Sequence, residues 1–86
     1  MLLEAVLVTQ KIKLNRVRTQ VGLTQQKLAD VAHVSKRVIA RAEGGRYISQ
    51  LTAWAILNAL NMEREKHKLL PLDYEQLDWK VKGDGI

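Results

Sequence analysis

The 86-residue sequence has no cysteine, only two histidines and a single proline, Pro71. Without cysteine there is no disulfide framework, no thiolate zinc cluster and no cysteine nucleophile. The missing cysteine also fits a reducing compartment, so we expect a cytoplasmic protein. Because His33 and His67 are far apart and no spacing gathers carboxylates around either, we expect no metal, no other cofactor and no enzymatic activity.

Long hydrophobic runs are missing as well. Residues 1–10 are apolar, but they fall far short of the roughly 20 residues that span a bilayer, so no membrane segment is expected. They carry Glu4, follow no positively charged segment and lack a small-residue cleavage site, so we do not expect them to be a signal peptide. A chain of this length buries a modest core, which argues against a large catalytic cleft.

Positive charge is unevenly distributed along the chain. The net charge is +5, and the excess lies between residues 10 and 50, where Asp30 and Glu43 are the only acidic residues. Such an asymmetry is typical of a surface that binds a polyanion, because neutralised phosphates release counterions. A solvated basic face is the alternative that charge alone leaves open.

Apolar spacing predicts three short helices over residues 11–20, 25–32 and 36–43. Gly22 is expected to end the first, Thr24 and Ser35 to cap the starts of the second and third, and Gly44 and Gly45 to stop the third. The residues predicted to face inward are Leu14, Val17, Val21, Leu28, Ala29, Ala32, Ile39 and Ala42.

A fourth helix is predicted to follow Ser49 as its N-cap. It carries few charges, so we expect it to be buried through Leu51, Trp54, Ala55, Leu57 and Ala59. Residues 63–70 are expected to add one or two helical turns. Residues 77–82 alternate apolar and charged side chains, which predicts a half-buried strand, and residues 83–86 are expected to fray.

Only two or three residues, around His33 and Val34, separate the second and third predicted helices. A junction this short makes two helices cross steeply, which is the geometry of a helix-turn-helix. One such helix can lie across the DNA backbone while the next enters the major groove. Small residues at Ala29 and Ala42 would let the two helices approach closely.

Residues 23–46, LTQQKLADVAHVSKRVIARAEGGR, resemble the helix-turn-helix of the lambda-repressor and Cro family, also called the XRE family. That pattern has Leu-Thr-Gln opening the second helix, a Leu-Ala pair, Val-Ser entering the third helix, an inward Ile or Val, and Glu followed by Gly at its end. The matching positions here are Leu23, Thr24, Gln25, Leu28, Ala29, Val34, Ser35, Ile39, Glu43 and Gly45. The resemblance extends weakly over residues 14–62.

The resemblance implies an all-α fold of four to five short helices, with room for a short strand at one or both termini. One position departs from the pattern, since His33 occupies the turn where the family usually has glycine. That position needs a positive φ, and histidine is among the non-glycine residues enriched there, so we expect a strained but intact turn.

The resemblance also implies which residues contact DNA. The positions that match base-contacting residues are Lys36, Arg37, Ala40 and Arg41 on the third helix, and guanines are expected partners of the arginines. The positions expected to contact phosphates are Thr24, Gln25, Ser35 and Arg46. Lys11 and Lys13 are further flanking candidates. The alternative leaves Lys36, Arg37 and Arg41 as phosphate contacts alone.

Arg18 and Glu43 match an ion pair that ties the first helix to the end of the third in many family members. Glu43 would then be structural and not a catalytic acid. We expect three regions: an apolar appendage at residues 1–10, a DNA-binding domain at 11–62 and a C-terminal appendage at 63–86. The apolar termini are expected either to complete the core or to contact a partner.

Two functions fit these features. The first is a homodimeric transcriptional repressor that binds double-stranded DNA at a palindromic, guanine-containing operator, with its recognition helices about 34 Å apart. The second is a DNA-binding antitoxin whose terminal appendage binds a toxin protein. The sequence leaves the choice between them open.

Overall fold

Four α-helices build the fold, and a computed structural model describes them within residues 11–83. They are α1 Leu14–Gln20, α2 Gln25–Ala32, α3 Lys36–Glu43 and α4 Gln50–Lys66. The expected all-α fold of four to five helices with short terminal strands is therefore confirmed. The apolar appendage predicted at residues 1–10 and most of the predicted fraying at residues 83–86 lie outside the described residues.

Three helices begin at a hydroxyl N-cap, as the sequence predicts. The side-chain oxygens of Thr24, Ser35 and Ser49 each accept a hydrogen bond from a backbone N–H three residues further on. These bonds satisfy donors that have no partner within the first turn of a helix. The short cap signals in the sequence therefore fix where α2, α3 and α4 start.

All four helices end in the same way, at a residue with positive φ. These residues are Gly22 (76°), His33 (61°), Gly45 (80°) and Lys68 (60°). In each case the next residue donates its backbone N–H to the carbonyl five residues earlier, at 2.9–3.2 Å, which is the Schellman motif. The positive φ expected at His33 is confirmed, and the turn between α2 and α3 is intact.

The core lies where α1, α2, α3 and α4 meet. Every residue predicted to face inward from the first three helices is buried. From α4 the buried apolar residues are Ala53, Ile56, Leu57, Ala59 and Leu60. The helix spacing of three and four residues thus selects the packed face of each short helix.

The start of the first helix was predicted wrongly. Residues 11–20 were expected to be helical, but Ile12–Lys13 forms strand β1 and α1 begins only at Leu14. The partner of β1 is β3, Leu77–Asp78, which runs parallel to it with Ile12 opposite Leu77. Because this partner lies far away in sequence, local periodicity gives no sign of the strand.

The expected burial of α4 also needs correction. Leu51 is 82% exposed and Trp54 is 45% exposed, so the N-terminal part of the helix is not buried as a whole. Leu51 faces solvent, whereas the ring of Trp54 lies 4.8 Å from the ring of Tyr74 and is therefore only partly exposed. The charged stretch after residue 62 adds about one turn to this helix, which ends at Lys66, so the helical turns expected within residues 63–70 are present only up to that residue.

The C-terminal segment crosses the surface of the helices as an extended strap, residues 69–82. It contains a 3-10 turn at Tyr74–Gln76, then β3 and finally β4 at Lys80–Val81, which pairs parallel with β2 at Tyr47–Ile48. The predicted alternation is confirmed, since Leu77, Trp79 and Val81 are the more buried side chains and the residues between them are exposed. The strap therefore joins the residues before α1 to the residues after α3.

Candidate nucleic-acid interface

The turn between α2 and α3 contains only His33, Val34 and Ser35. The left-handed backbone of His33 reverses the chain within this short space, and the backbone N–H of Val34 bonds to the carbonyl of Ala29 at 3.0 Å. Ala29 and Ala42 are both buried, so no bulky side chain separates the two helices. Two helices that pack closely and are joined by so short a turn form a helix-turn-helix.

The outer face of α3 carries a cluster of exposed cations. Lys36, Arg37, Ala40 and Arg41 are all exposed, whereas Ile39 and Ala42 on the opposite face are buried. Spacings of one, three and four residues place the exposed set along one side of the helix. The structure therefore brings the four positions expected to contact bases onto one surface.

These cations have no anionic partner within the described residues. Among residues 11–83 the ion pairs join Lys13 to Asp78, Arg18 to Glu43 and Lys66 to Glu63. Lys36, Arg37 and Arg41 belong to none of them. Their charges are therefore available to an external polyanion.

The starts of α2 and α3 present hydrogen-bond donors through their capping hydroxyl groups. The oxygen of Thr24 accepts from the N–H of Lys27 at 3.0 Å, and that of Ser35 accepts from the N–H of Val38 at 3.2 Å. Each hydroxyl proton remains without an acceptor in the described part of the chain. A hydroxyl group in this state can donate to a phosphate oxygen while it continues to cap its helix.

Gln25, at the first position of α2, is held by a side chain from α3. Its amide Nε2 donates to Oε1 of Glu43 at 2.9 Å. The side chain is half-buried and fixed in orientation, while its second amide hydrogen has no acceptor among residues 11–83. Fixing a side chain in this way lowers the entropy that it loses on contacting another molecule.

Arg18 and Glu43 form the ion pair that connects the three helices. Nε and Nη2 of Arg18 donate to the two carboxylate oxygens of Glu43, the second at 3.1 Å, and Nη1 donates to the carbonyl of Leu23 at 2.8 Å. The two side chains are only 13% and 9% exposed. Because both oxygens of Glu43 are occupied, its charge is neutralised inside the fold beneath the cationic surface.

The flanking cations occupy different surroundings. Arg46 is exposed just after Gly45, and its backbone N–H bonds to the carbonyl of Arg41 at 2.9 Å. Lys11 is also exposed, whereas Lys13 is engaged by Asp78 at 3.4 Å across the β1 and β3 pair. Of these three, only Arg46 lies next to the end of α3.

Lys80 and Lys82 were not among the candidates from the sequence. β4 places Lys80 opposite Tyr47, with its Nζ 5.7 Å from the centre of the tyrosine ring. Tyr47 follows Arg46, so the strap brings a lysine from near the end of the chain to the end of α3. No local signal predicts this neighbourhood, because it depends on a pairing between distant segments.

The described residues offer little for other chemistry. Within residues 11–83 no group of three or more histidine, cysteine, aspartate or glutamate side chains could hold a metal ion. No helix in the same range has the length and apolar character needed to cross a membrane. The exposed cations of α3 are therefore the main candidate for a functional site on the described surface.

Comparison with known proteins agrees with this geometry. A family model described as helix-turn-helix matches residues 14–66, which is more than half of the chain. Searches of curated proteins and of solved structures found no match. The matched residues run from the start of α1 to the end of α4 and include the exposed cations of α3. The chain therefore belongs to the lambda-repressor-like helix-turn-helix family and binds DNA in a sequence-specific manner.

Proposed function

We propose that the protein is a transcriptional repressor that binds a palindromic, guanine-containing operator as a homodimer. The observation that carries this proposal is the exposed face of α3, where Lys36, Arg37 and Arg41 have no anionic partner in residues 11–83. A rigid helix with unpaired cations on one side fits the major groove in width and in charge.

Within the groove, Arg37 and Arg41 read bases. They lie four residues apart, so both guanidinium groups project from one side of α3. Each can donate two hydrogen bonds to O6 and N7 of a guanine, which is the commonest specific contact in the major groove. Lys36 reaches the same acceptors at the helix start, and the small Ala40 lets the helix approach the base edges closely.

The backbone contacts come from residues around α3. Thr24 and Gln25 at the start of α2 and Ser35 at the start of α3 present hydroxyl, amide and helix N-terminal donors, and Arg46 presents its charge just after α3. Such contacts fix the position of the helix along the duplex without reading sequence. Because Glu43 holds Gln25, the ion-pair network also orients this part of the interface.

Dimerisation is supported by an apolar stripe on the exposed side of α4. We define the α4 stripe as Leu51, Trp54 and Met62, all of which are exposed. Their spacing, with Asn58 between Trp54 and Met62, follows one side of the helix. Two copies that bury this stripe against each other would present two α3 helices to successive major-groove faces, about 34 Å apart.

In the antitoxin alternative a terminal appendage binds the toxin. Leu70, in the C-terminal appendage, is an apolar side chain that is 81% exposed and could make such a contact. The two functions differ in one property of the isolated protein. A repressor that uses the stripe is a dimer without any partner, whereas an antitoxin with a free stripe is a monomer.

Measured DNA affinities of Arg41→Ala test the proposed reading of bases. We expect specific binding to weaken by about 1–3 kcal/mol and sequence preference to relax at one base pair, with a much smaller loss on random DNA. Lys66→Ala is a matched control, since it removes one exposed charge from the far end of α4. An equal loss on specific and random DNA would reduce Arg41 to a phosphate contact.

A further inference from the structure

The strap ends beside the residues that follow α3. β4 pairs with β2 in a fixed register, Tyr47 opposite Lys80 and Ile48 opposite Val81, and the N–H of Lys82 donates to the carbonyl of Ile48 at 2.9 Å. Since β2 begins three residues after Gly44, where α3 ends, this pairing ties the strap to the exit of α3.

The side chains of this pair divide into an inner and an outer set. Ile48 is buried and Val81 packs against the core, so the inner side of the two strands faces the helices. Tyr47 is 55% exposed and Lys80 lies over its ring, so these two occupy the outer side. Lys82 follows Lys80 by two residues and is also exposed, which places it on the outer side as well.

The strap adds exposed cations beside the exit of α3. Arg41 lies on the last turn of the helix and Arg46 directly precedes β2, whereas Lys80 and Lys82 lie on and just after β4, which pairs with β2. Neither lysine forms an ion pair with a carboxylate of residues 11–83. The tyrosine ring orients Lys80 without neutralising it, since a cation–π contact leaves the charge in place.

On the premise that α3 reads the major groove as proposed above, we infer that Lys80 and Lys82 bind DNA backbone phosphates beside the end of α3. The major groove is about 12 Å wide, so residues just beyond the end of a helix that lies in it meet the phosphates along its edge. Lysine serves such a contact well, because it is a mobile point charge that needs no fixed geometry. The DNA-binding surface therefore extends beyond residues 14–66, the part that matches the family.

The direct test is the salt dependence of DNA binding by a double variant, Lys80→Gln with Lys82→Gln. Removing two phosphate contacts should lower the slope of log affinity against log salt by about 1.8, and weaken binding at low salt by roughly tenfold or more. The loss should be the same on specific and random DNA, because phosphates carry no sequence information. Unchanged melting temperature would show that the fold persists.

A matched control is the double variant Lys66→Gln with Lys68→Gln. It removes the same charge at the other end of α4, a 17-residue helix, about 24 Å from where that helix begins. We expect little change in its slope. A slope that falls as much in the control, or that does not fall for Lys80→Gln with Lys82→Gln, would overturn the inference.

Two further results separate this inference from the proposed function. Binding by the wild type should be blocked by ethylation of one or two phosphates at the edge of the footprint, and binding by Lys80→Gln with Lys82→Gln should not be. Lys80→Arg with Lys82→Arg should restore this sensitivity to ethylation. If specific binding requires Arg41 but the lysine variants bind DNA as the wild type does, the inference about Lys80 and Lys82 is wrong and the proposed reading by α3 stands. If Arg41 and Arg37 are also dispensable, the proposed reading by α3 fails, and the lysine contacts fail with it.

Discussion

Asn61 and Leu72 are joined by two hydrogen bonds that imitate one step of a β-ladder. Nδ2 of Asn61 donates to the carbonyl of Leu72 at 3.0 Å, and the backbone N–H of Leu72 donates to Oδ1 at 2.8 Å. Leu72 is buried, so water cannot replace Asn61 as the hydrogen-bond partner of its backbone groups. Two side chains of α4 therefore hold the beginning of the strap, since Nε of Arg64 also donates to the carbonyl of Leu70 at 2.8 Å.

Replacing the Asn61 side chain should weaken the attachment of the strap. We expect Asn61→Ala to lower the free energy of unfolding by about 2 kcal/mol, since it leaves a buried donor and a buried acceptor without partners. Urea denaturation measures the loss, and hydrogen exchange should report weaker protection of residues 69–82. Asn15→Ala, at an exposed position of α1, is the control and should change stability by less than about 0.5 kcal/mol. Equal effects of the two substitutions would contradict this account of the strap.

The Arg18 and Glu43 pair should dominate the stability of the helix-turn-helix. Arg18→Ala or Glu43→Ala alone should each cost about 3 kcal/mol, because either change leaves the other charge uncompensated in a nearly buried position. The double variant should cost little more than one single variant, and a double-mutant cycle by urea denaturation measures this coupling. Lys13→Ala breaks an exposed pair and should cost less than about 1 kcal/mol. Additive losses at Arg18 and Glu43 would show that the pair does not act as a unit.

His33 offers a stabilising substitution. Its φ of 61° is costly for a residue with a Cβ atom, and glycine adopts it freely, so His33→Gly should raise stability by up to about 1 kcal/mol. Gly22→Ala should lower stability, because a φ of 76° is strained for a residue with a Cβ atom. Since nothing lies within 4 Å of the added Cβ, the loss would come from the backbone strain and not from a clash. Thermal unfolding of the two variants checks both signs. A loss of stability in His33→Gly would mean that contacts of the imidazole stabilise the fold by more than the positive φ destabilises it.

The α4 stripe should control the oligomeric state. Leu51 is 82% exposed, so Leu51→Asn should leave the fold unchanged and remove apolar area only from a contact between copies. Sedimentation should find a dimer for the wild type and a shift toward monomer for Leu51→Asn. Arg41→Ala is the control, and it should remain a dimer. A wild-type protein that is monomeric both alone and on DNA would contradict the palindromic operator.

Much of the fold could be predicted because its signals are local. Thr24, Ser35 and Ser49 cap helices through side chains that bond within three residues, and the apolar spacing of α2 and α3 selects their buried faces. The pairing of Ile12 with Leu77 could not be predicted in this way, since each strand is only two residues long and its partner is distant. The exposure of Leu51 was missed because an apolar residue on a helix has the same sequence signature whether it faces a core or a partner.

The candidate interface shows the same division. Lys36, Arg37 and Arg41 could be placed from the sequence, because a helix of known start fixes which side each residue occupies. Lys80 could not be placed, since only the register of β4 with β2 brings it beside Tyr47. Charge counted along the chain therefore misses the lysines that the strap brings to the end of α3 from the C-terminal part of the described segment.

Selection from random DNA duplexes at a stated salt concentration tests the central claim most directly. If the exposed face of α3 reads bases, the wild-type protein should enrich a palindromic motif with guanines in each half-site. The same selection with Arg37→Ala and Arg41→Ala should lose preference at one position each, while Lys66→Ala should return the wild-type motif. Enrichment of no motif by the wild-type protein, or of an unchanged motif by both arginine variants, would contradict the account.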